Sequence, residues 1–160
     1  MSKSEGMWWP AGSQVVPCGR LKQLLALSAR WHARTVISGF VSDYLDVLLQ
    51  AGVSCGSAVE LLGKAYLASI SHSLLADRSD KDSLLMLAGR EDLASTSATR
   101  LHSISALDVA KLVKHLHKES ALETQDPVCF RVRNSATHMA LIDSAELRLA
   151  TIQMVKFGIS

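Results

Sequence analysis

Apolar side chains recur at intervals of three and four along most of the chain. Leu21, Leu24, Leu25, Trp31, Ile37, Phe40, Val41, Tyr44, Leu45 and Leu48 carry this spacing, which gathers them on one face of a helix and predicts a first helix over residues 21–50. Gly52 follows as its stop. Ser57 with Glu60 three residues later is a capping-box pattern, and it predicts the start of a second helix carrying Val59, Leu61, Leu62, Tyr66, Leu67, Ile70 and Leu74. Residues 77–83 are polar and charged and read as a loop. Residues 84–88 form a short apolar turn closed by Gly89, and residues 95–100 are again small and polar.

Ser105 with Asp108 is a second start signal. It opens a third helix through Leu107, Val109, Leu112, Val113 and Leu116. Asp126-Pro127 reads as an N-cap followed by proline at the first helical position, and predicts a fourth helix over residues 127–156. The three prolines are Pro10, Pro17 and Pro127, so residues 18–126 contain none. Such a span, with no strand-like alternation between turn signals, predicts an all-α chain. Four main helices with short connections imply an antiparallel up-and-down four-helix bundle over residues 20–160. Residues 1–19, with Trp8, Trp9, Pro10, Gly12 and Pro17, show no period and read as an irregular N-terminal arm. Its two tryptophans suit closure of one end of the core better than contact with a partner.

Composition narrows the function classes. The 160 residues are 48% hydrophobic and 20% charged, with a formal net charge of +2. This is a core-forming composition, and its charge is too mild to argue for nucleic acid in bulk. Aromatics are 5%, which disfavours a platform that stacks bases on rings. Cys18, Cys55 and Cys129 are odd in number and widely spaced, so neither a disulfide framework nor a zinc knuckle is expected. The best membrane candidate, residues 21–41, is interrupted by Arg30, His32 and Arg34, and no apolar run is read as long enough to span. With no h-region near the N-terminus, a reducing, cytoplasmic setting is expected.

Metal and nucleophile chemistry are not written in the chain. His115 and His117 are two apart, about 200° around a helix, so they do not chelate one ion. There is no H-E-x-x-H, no glycine-rich phosphate loop and no serine elbow. No metal or cofactor is expected.

One constellation stands out at the start of the fourth predicted helix: Arg131-Val132-Arg133-Asn134-Ser135-Ala136-Thr137-His138. Its Arg-Asn-x-x-x-His pattern resembles the HEPN family (higher eukaryotes and prokaryotes nucleotide-binding domains). Ribonuclease members of that family carry an arginine and a histidine with four to six residues between them, often with a polar residue after the arginine; here four residues separate Arg133 from His138. Nine arginines and six histidines make the bare spacing weak. Asn134, the only asparagine in the chain, makes the match far more specific. Residues 58–65 also look like the family's second-helix region, and the resemblance covers about residues 21–156.

The resemblance implies a four-helix, up-and-down bundle and metal-independent RNA cleavage to 2′,3′-cyclic phosphate ends, in a free-standing toxin or phage-defence effector. An imidazole titrates near pH 6.5, so His138 suits a proton donor or acceptor. A guanidinium matches phosphate in a bidentate fork, so Arg133 suits transition-state charge. Asn134 would orient the imidazole or bind phosphate. One motif supplies one titratable group for two proton transfers, so a homodimer with two motifs in one cleft is expected. On a helical wheel Arg131, Asn134 and His138 form one stripe, while Arg133 lies about 140° from His138 and must reach round with its stem. Arg131 is then a second phosphate contact.

Lys114 and Lys118, with Lys111, His115 and His117, form a basic run. It reads first as a solvated helix face and second as a track for the RNA backbone. Lys64 and His72 read as surface or bundle-edge residues, and Glu60 as a cap. The alternative function is a non-catalytic HEPN module that binds a partner such as an antitoxin or a nucleotidyltransferase. Toxin members of one such pairing carry tyrosine two residues after the histidine, where this chain has Ala140. In the blandest reading, Arg131 and Arg133 are solvated charges and His138 a core histidine.

Overall fold

The computed structural model describes residues 18–96 and 100–160, with side chains from residue 20 onward. Six α-helices form there: α1 (Cys18–Gly39), α2 (Leu45–Ile70), α3 (Lys81–Leu87), α4 (Ala106–Leu116), α5 (Val128–Met139) and α6 (Ser144–Ile159). Short 3₁₀ turns lie at His72–Leu75 and Glu91–Leu93. No strand forms among the described residues beyond one isolated bridge between Ala76 and Ser103. The described residues are all-α, as the periodicity predicts. Of the expected arm, residues 1–17 lie outside the described residues, and residues 18 and 19 already belong to α1.

Two predicted helices are each broken in two. The first ends at Gly39, where Ser42 N–H donates to the Gly39 carbonyl (3.0 Å) and Tyr44 N–H to Ser42 Oγ (3.2 Å). The chain restarts at Leu45 as α2. The fourth ends at Met139, because Ala140 adopts the left-handed conformation (φ 50°). Asp143 then caps α6, accepting from the amides of Ala145 (2.7 Å) and Glu146 (2.9 Å). Asp143 and Glu146 repeat the signature of Ser105 and Asp108, without a glycine before them to mark the stop.

The reverse error lies in α2, which runs unbroken through Gly52, Ser57 and Glu60. Ser57 is no cap: its hydroxyl donates to the Val53 carbonyl (3.1 Å), the back-bond of a serine inside a helix. Gly52 is no stop. It is buried where a Cβ would stand 2.6 Å from Ile142 Cδ1 and 3.2 Å from Ala136 Cβ. Reading α2 as two pieces also hid its length. By length and composition its 26 residues, with a window of mean hydropathy 1.4, are enough to cross a membrane, a property core helices share.

Helix α2 is the hub, packing against α1, α4, α5 and α6. The core gathers Val36 of α1, Cys55, Val59 and Leu67 of α2, Val109 and Val113 of α4, Cys129 and Val132 of α5, and Leu147 and Phe157 of α6. Each such aliphatic contributes roughly 1.5–3 kcal/mol on burial. Small residues on α2 set the spacing: Gly52 and Gly56 admit α5, and Gly63 admits Val109 of α4.

The remaining start signals divide. Ser105 caps α4 as expected, its hydroxyl accepting from Asp108 N–H (3.2 Å). In the loop predicted for residues 77–83, Asp80 caps α3, and Gly89 closes it with φ +78°. Asp126 is not the cap of α5. It sits in the left-handed region (φ 46°) and gives its carboxylate to Arg131 (2.7 Å), leaving Pro127 at the cap position. One orphan amide of that turn, Cys129 N–H, is instead satisfied by the buried side-chain oxygen of Gln153 from α6 (3.3 Å).

Cys55 and Cys129 are fully buried and free. Burial pushes both thiols up to about 12, with the neighbouring Cys129 adding to the effect on Cys55. A thiol held protonated is inert. Neither is expected to take up iodoacetamide at pH 8 in the folded protein, and both should react once urea unfolds it. Labelling of either native peptide, read by mass spectrometry, would contradict this packing.

Candidate functional site

The motif occupies the body and last turn of α5. Arg131, Asn134 and His138 are exposed, forming the outward stripe that the helical wheel predicts. Arg133 points the other way, toward α2, and is half-buried. Its stem passes over Gly56, where a Cβ would stand 2.8 Å from Arg133 Cβ and 3.0 Å from Cδ. Its guanidinium lies 5.4 Å from the centre of the Phe130 ring, a cation–π contact within the same helix.

Two hydrogen bonds fix the guanidinium. Nη1 donates to Glu60 Oε2 at 2.6 Å, and Nε donates to Asn134 Oδ1 at 3.4 Å. The second bond links the inward arginine to the outward stripe. Glu60 also accepts from Lys64 Nζ on Oε1 (2.6 Å), and Lys64 donates onward to Ser103 Oγ (2.9 Å). Side-chain exposures of 20% for Glu60, 11% for Lys64 and 23% for Arg133 place the network at the rim of the core. Sequence reasoning missed it. Glu60 is not a cap but the anchor of Arg133, and Lys64 takes the bundle-edge place of its two expected ones, with its ammonium held by Glu60 and Ser103. The legible signal was Glu60 and Lys64 one helical turn apart on a helix whose only other charged residue is Asp46.

Burial pushes the Glu60 carboxyl up, and the hydrogen bonds and charges of Lys64 and Arg133 overcome it, leaving the group below its ordinary range. A carboxyl lowered by folding adds stability above the unfolded value, near pH ~4.3, and loses it as pH falls through the folded value. The melting temperature is therefore expected to drop below about pH 4.3, and less steeply in Glu60→Gln. Equal slopes in melts at pH 7, 5, 4 and 3 would show that the ion pairs add nothing.

The other predicted contacts are dispersed. The Arg131 guanidinium is engaged by Asp126 (2.7 Å) and Glu146 (2.9 Å) at the surface, pairs that solvent screens. Lys114 Nζ donates to the Ser120 carbonyl (2.5 Å), closing the turn after α4, while Lys118 is exposed in that turn. His115 lines a groove of about 810 Å³ with Asp77, Asp108 and Lys111. His117 instead meets the Ser160 carbonyl (3.1 Å) and the Tyr66 ring. No group of three or more His, Cys, Asp or Glu side chains able to hold a metal occurs among the described residues.

The motif therefore offers a fixed guanidinium, an amide that accepts from it, and an imidazole four residues further along the amide's face. Those are the groups needed to bind a phosphate and move a proton. No family model, curated protein or solved structure matches the chain.

Proposed function

We propose that the chain is a metal-independent endoribonuclease of the HEPN type, acting as a homodimer in the cytoplasm. The observation that carries this reading is the Arg133–Asn134 bond: Nε of the inward guanidinium reaches the residue that shares the exposed stripe with His138. The finer fold belongs to the same reading. Helices α1, α2, α4 and the broken pair α5 and α6 stand for the four helices of an up-and-down bundle.

In the proposed reaction a ribose 2′-oxygen attacks the adjacent phosphorus as the bond to the 5′-oxygen breaks. One imidazole takes the 2′ proton, and a second donates a proton to the departing 5′-oxygen. Arg133 carries the charge that gathers on the phosphorane. Each copy contributes one motif histidine, so two His138 side chains across a two-fold cleft would meet the requirement. Arg131, Lys114 and Lys118 would contact the RNA backbone, Arg131 and Lys114 by exchanging their present partners for phosphate. A toxin or phage-defence role follows by analogy with the family.

Purified protein incubated with mixed-sequence RNA in EDTA should leave 2′,3′-cyclic phosphate and 5′-hydroxyl ends. The matching DNA should survive, because it lacks the 2′-hydroxyl. Cleavage of the deoxy strand, or dependence on added metal, would end this mechanism.

One observation favours the partner-binding reading. Arg133 is half-buried and ion-paired to Glu60, as an arginine would be if it only joined α5 to α2. In that case RNA remains whole at every pH, and Arg133 variants lose stability rather than activity.

A further inference from the structure

We infer that Glu60 is the positioning residue of the Arg133 phosphate site, with Lys64 as the counter-charge that lets it serve. The inference rests on the ribonuclease reading and adds a residue that the motif does not contain.

Geometry comes first. The Arg133 side chain is held at three points: the stem over the bare backbone of Gly56, Cζ 5.4 Å from the centre of the Phe130 ring, and Nη1 on Glu60 Oε2. Together these fix which edge of the fork is presented. Nε turns to Asn134, and among the described residues Nη2 has no hydrogen-bond partner. A guanidinium anchored through one nitrogen with a neighbouring nitrogen open is set for phosphate without losing a flexible stem's freedom on binding.

Charge comes second. A lone glutamate would cancel the arginine and repel phosphate. Lys64, 2.6 Å from the other carboxylate oxygen, adds a second cation, so Glu60, Lys64 and Arg133 together keep a net charge of +1. A pair serving only to join α5 to α2 needs no third charge. Because each oxygen of Glu60 already accepts from a cation, the carboxylate is not free to take a proton from RNA. It acts through Arg133 alone. Ser103, bonded to Lys64, extends the anchor to the segment leading into α4.

The test is a double-mutant cycle on the full chain, reading kcat and KM for RNA cleavage in EDTA. Glu60→Gln should lower kcat about 10- to 100-fold, the scale of a misplaced catalytic group. The double variant Glu60→Gln/Arg133→Lys should be no slower than Arg133→Lys, because both changes break one unit. Wild-type kcat in a folded Glu60→Gln protein, or multiplicative losses in the double variant, would overturn the inference.

A second readout separates this inference from the ribonuclease reading. Inorganic phosphate titrated into labelled protein should shift the Arg133 Nε–H resonance in the wild type, and about ten-fold more weakly in Glu60→Gln. Phosphate binding that depends on Glu60, without any RNA cleavage, would retain the positioning role and discard the ribonuclease. Cleavage that requires Arg133, with Glu60→Gln matching wild type in both readouts, would do the opposite. No phosphate shift in the wild type would overturn the inference outright.

Discussion

His138→Ala is expected to lower metal-free RNA cleavage by a factor of about 10²–10⁴, the usual contribution of a positioned acid or base. The size follows from what else the site contains. Arg131 is already shared between Asp126 and Glu146, Glu60 is occupied by two cations, and asparagine does not titrate near neutral pH. His138 is the one imidazole of the motif, so nothing nearby substitutes for it as proton donor or acceptor. Because His138 is exposed on the last turn of α5, its loss should leave the melting temperature and the mass in solution unchanged. Wild type and variant would be compared at equal concentration in EDTA, over several pH values. Equal rates would mean a contaminating nuclease or another site, and would remove His138 from the mechanism.

The second large effect is structural. Gly56→Ala is expected to destabilise the protein by about 1–3 kcal/mol, the cost of overpacking, or a fall of roughly 2–10 °C in melting temperature for a chain of this size. In an unobstructed helix the same change would stabilise by up to about 1 kcal/mol. Here the new Cβ would stand 2.8 Å from the Cys129 carbonyl oxygen as well as 2.8 Å from Arg133 Cβ. A carbonyl belongs to the α5 backbone and cannot rotate aside, so α5 must move off α2. That movement also carries Arg133 away from Glu60, and RNA cleavage should fall with stability. Gly158→Ala is the control. The nearest atom to its Cβ would be Leu62 Cδ2 at 3.9 Å, so it should be neutral or mildly stabilising. A Gly56→Ala protein as stable as Gly158→Ala would mean that α5 sits less closely on α2 than described.

These two residues were not equally visible along the chain. His138 lies in a local pattern, with Arg133 and Asn134 just before it, and any helix would place Asn134 and His138 on one face. Gly56 carried no signal, because its role depends on Cys129 and Arg133, more than seventy positions away. Glu60 misled for a related reason. Ser57 and Glu60 have the spacing of a capping box, and that spacing states what the side chains could do at a helix start. In the structure the Ser57 hydroxyl turns back to Val53 and the Glu60 carboxylate turns across to Arg133.

What the sequence determined by itself was local. The three-and-four spacing and the long proline-free span specify helices, because both act through the backbone of neighbouring residues. The Ser105 cap and the order Arg133, Asn134, His138 are local in the same sense. Only the tertiary structure decided where helices end when no glycine or proline marks the place. The left-handed turn at Ala140 breaks an apolar run that would otherwise continue, and α2 runs through Gly52 because α5 packs on that glycine. The tertiary structure also turned Arg133 inward, since a carboxylate on another helix, balanced by Lys64, holds its guanidinium at 2.6 Å. Contacts between distant residues depend on how close two helices come, and that distance is set by the small side chains between them.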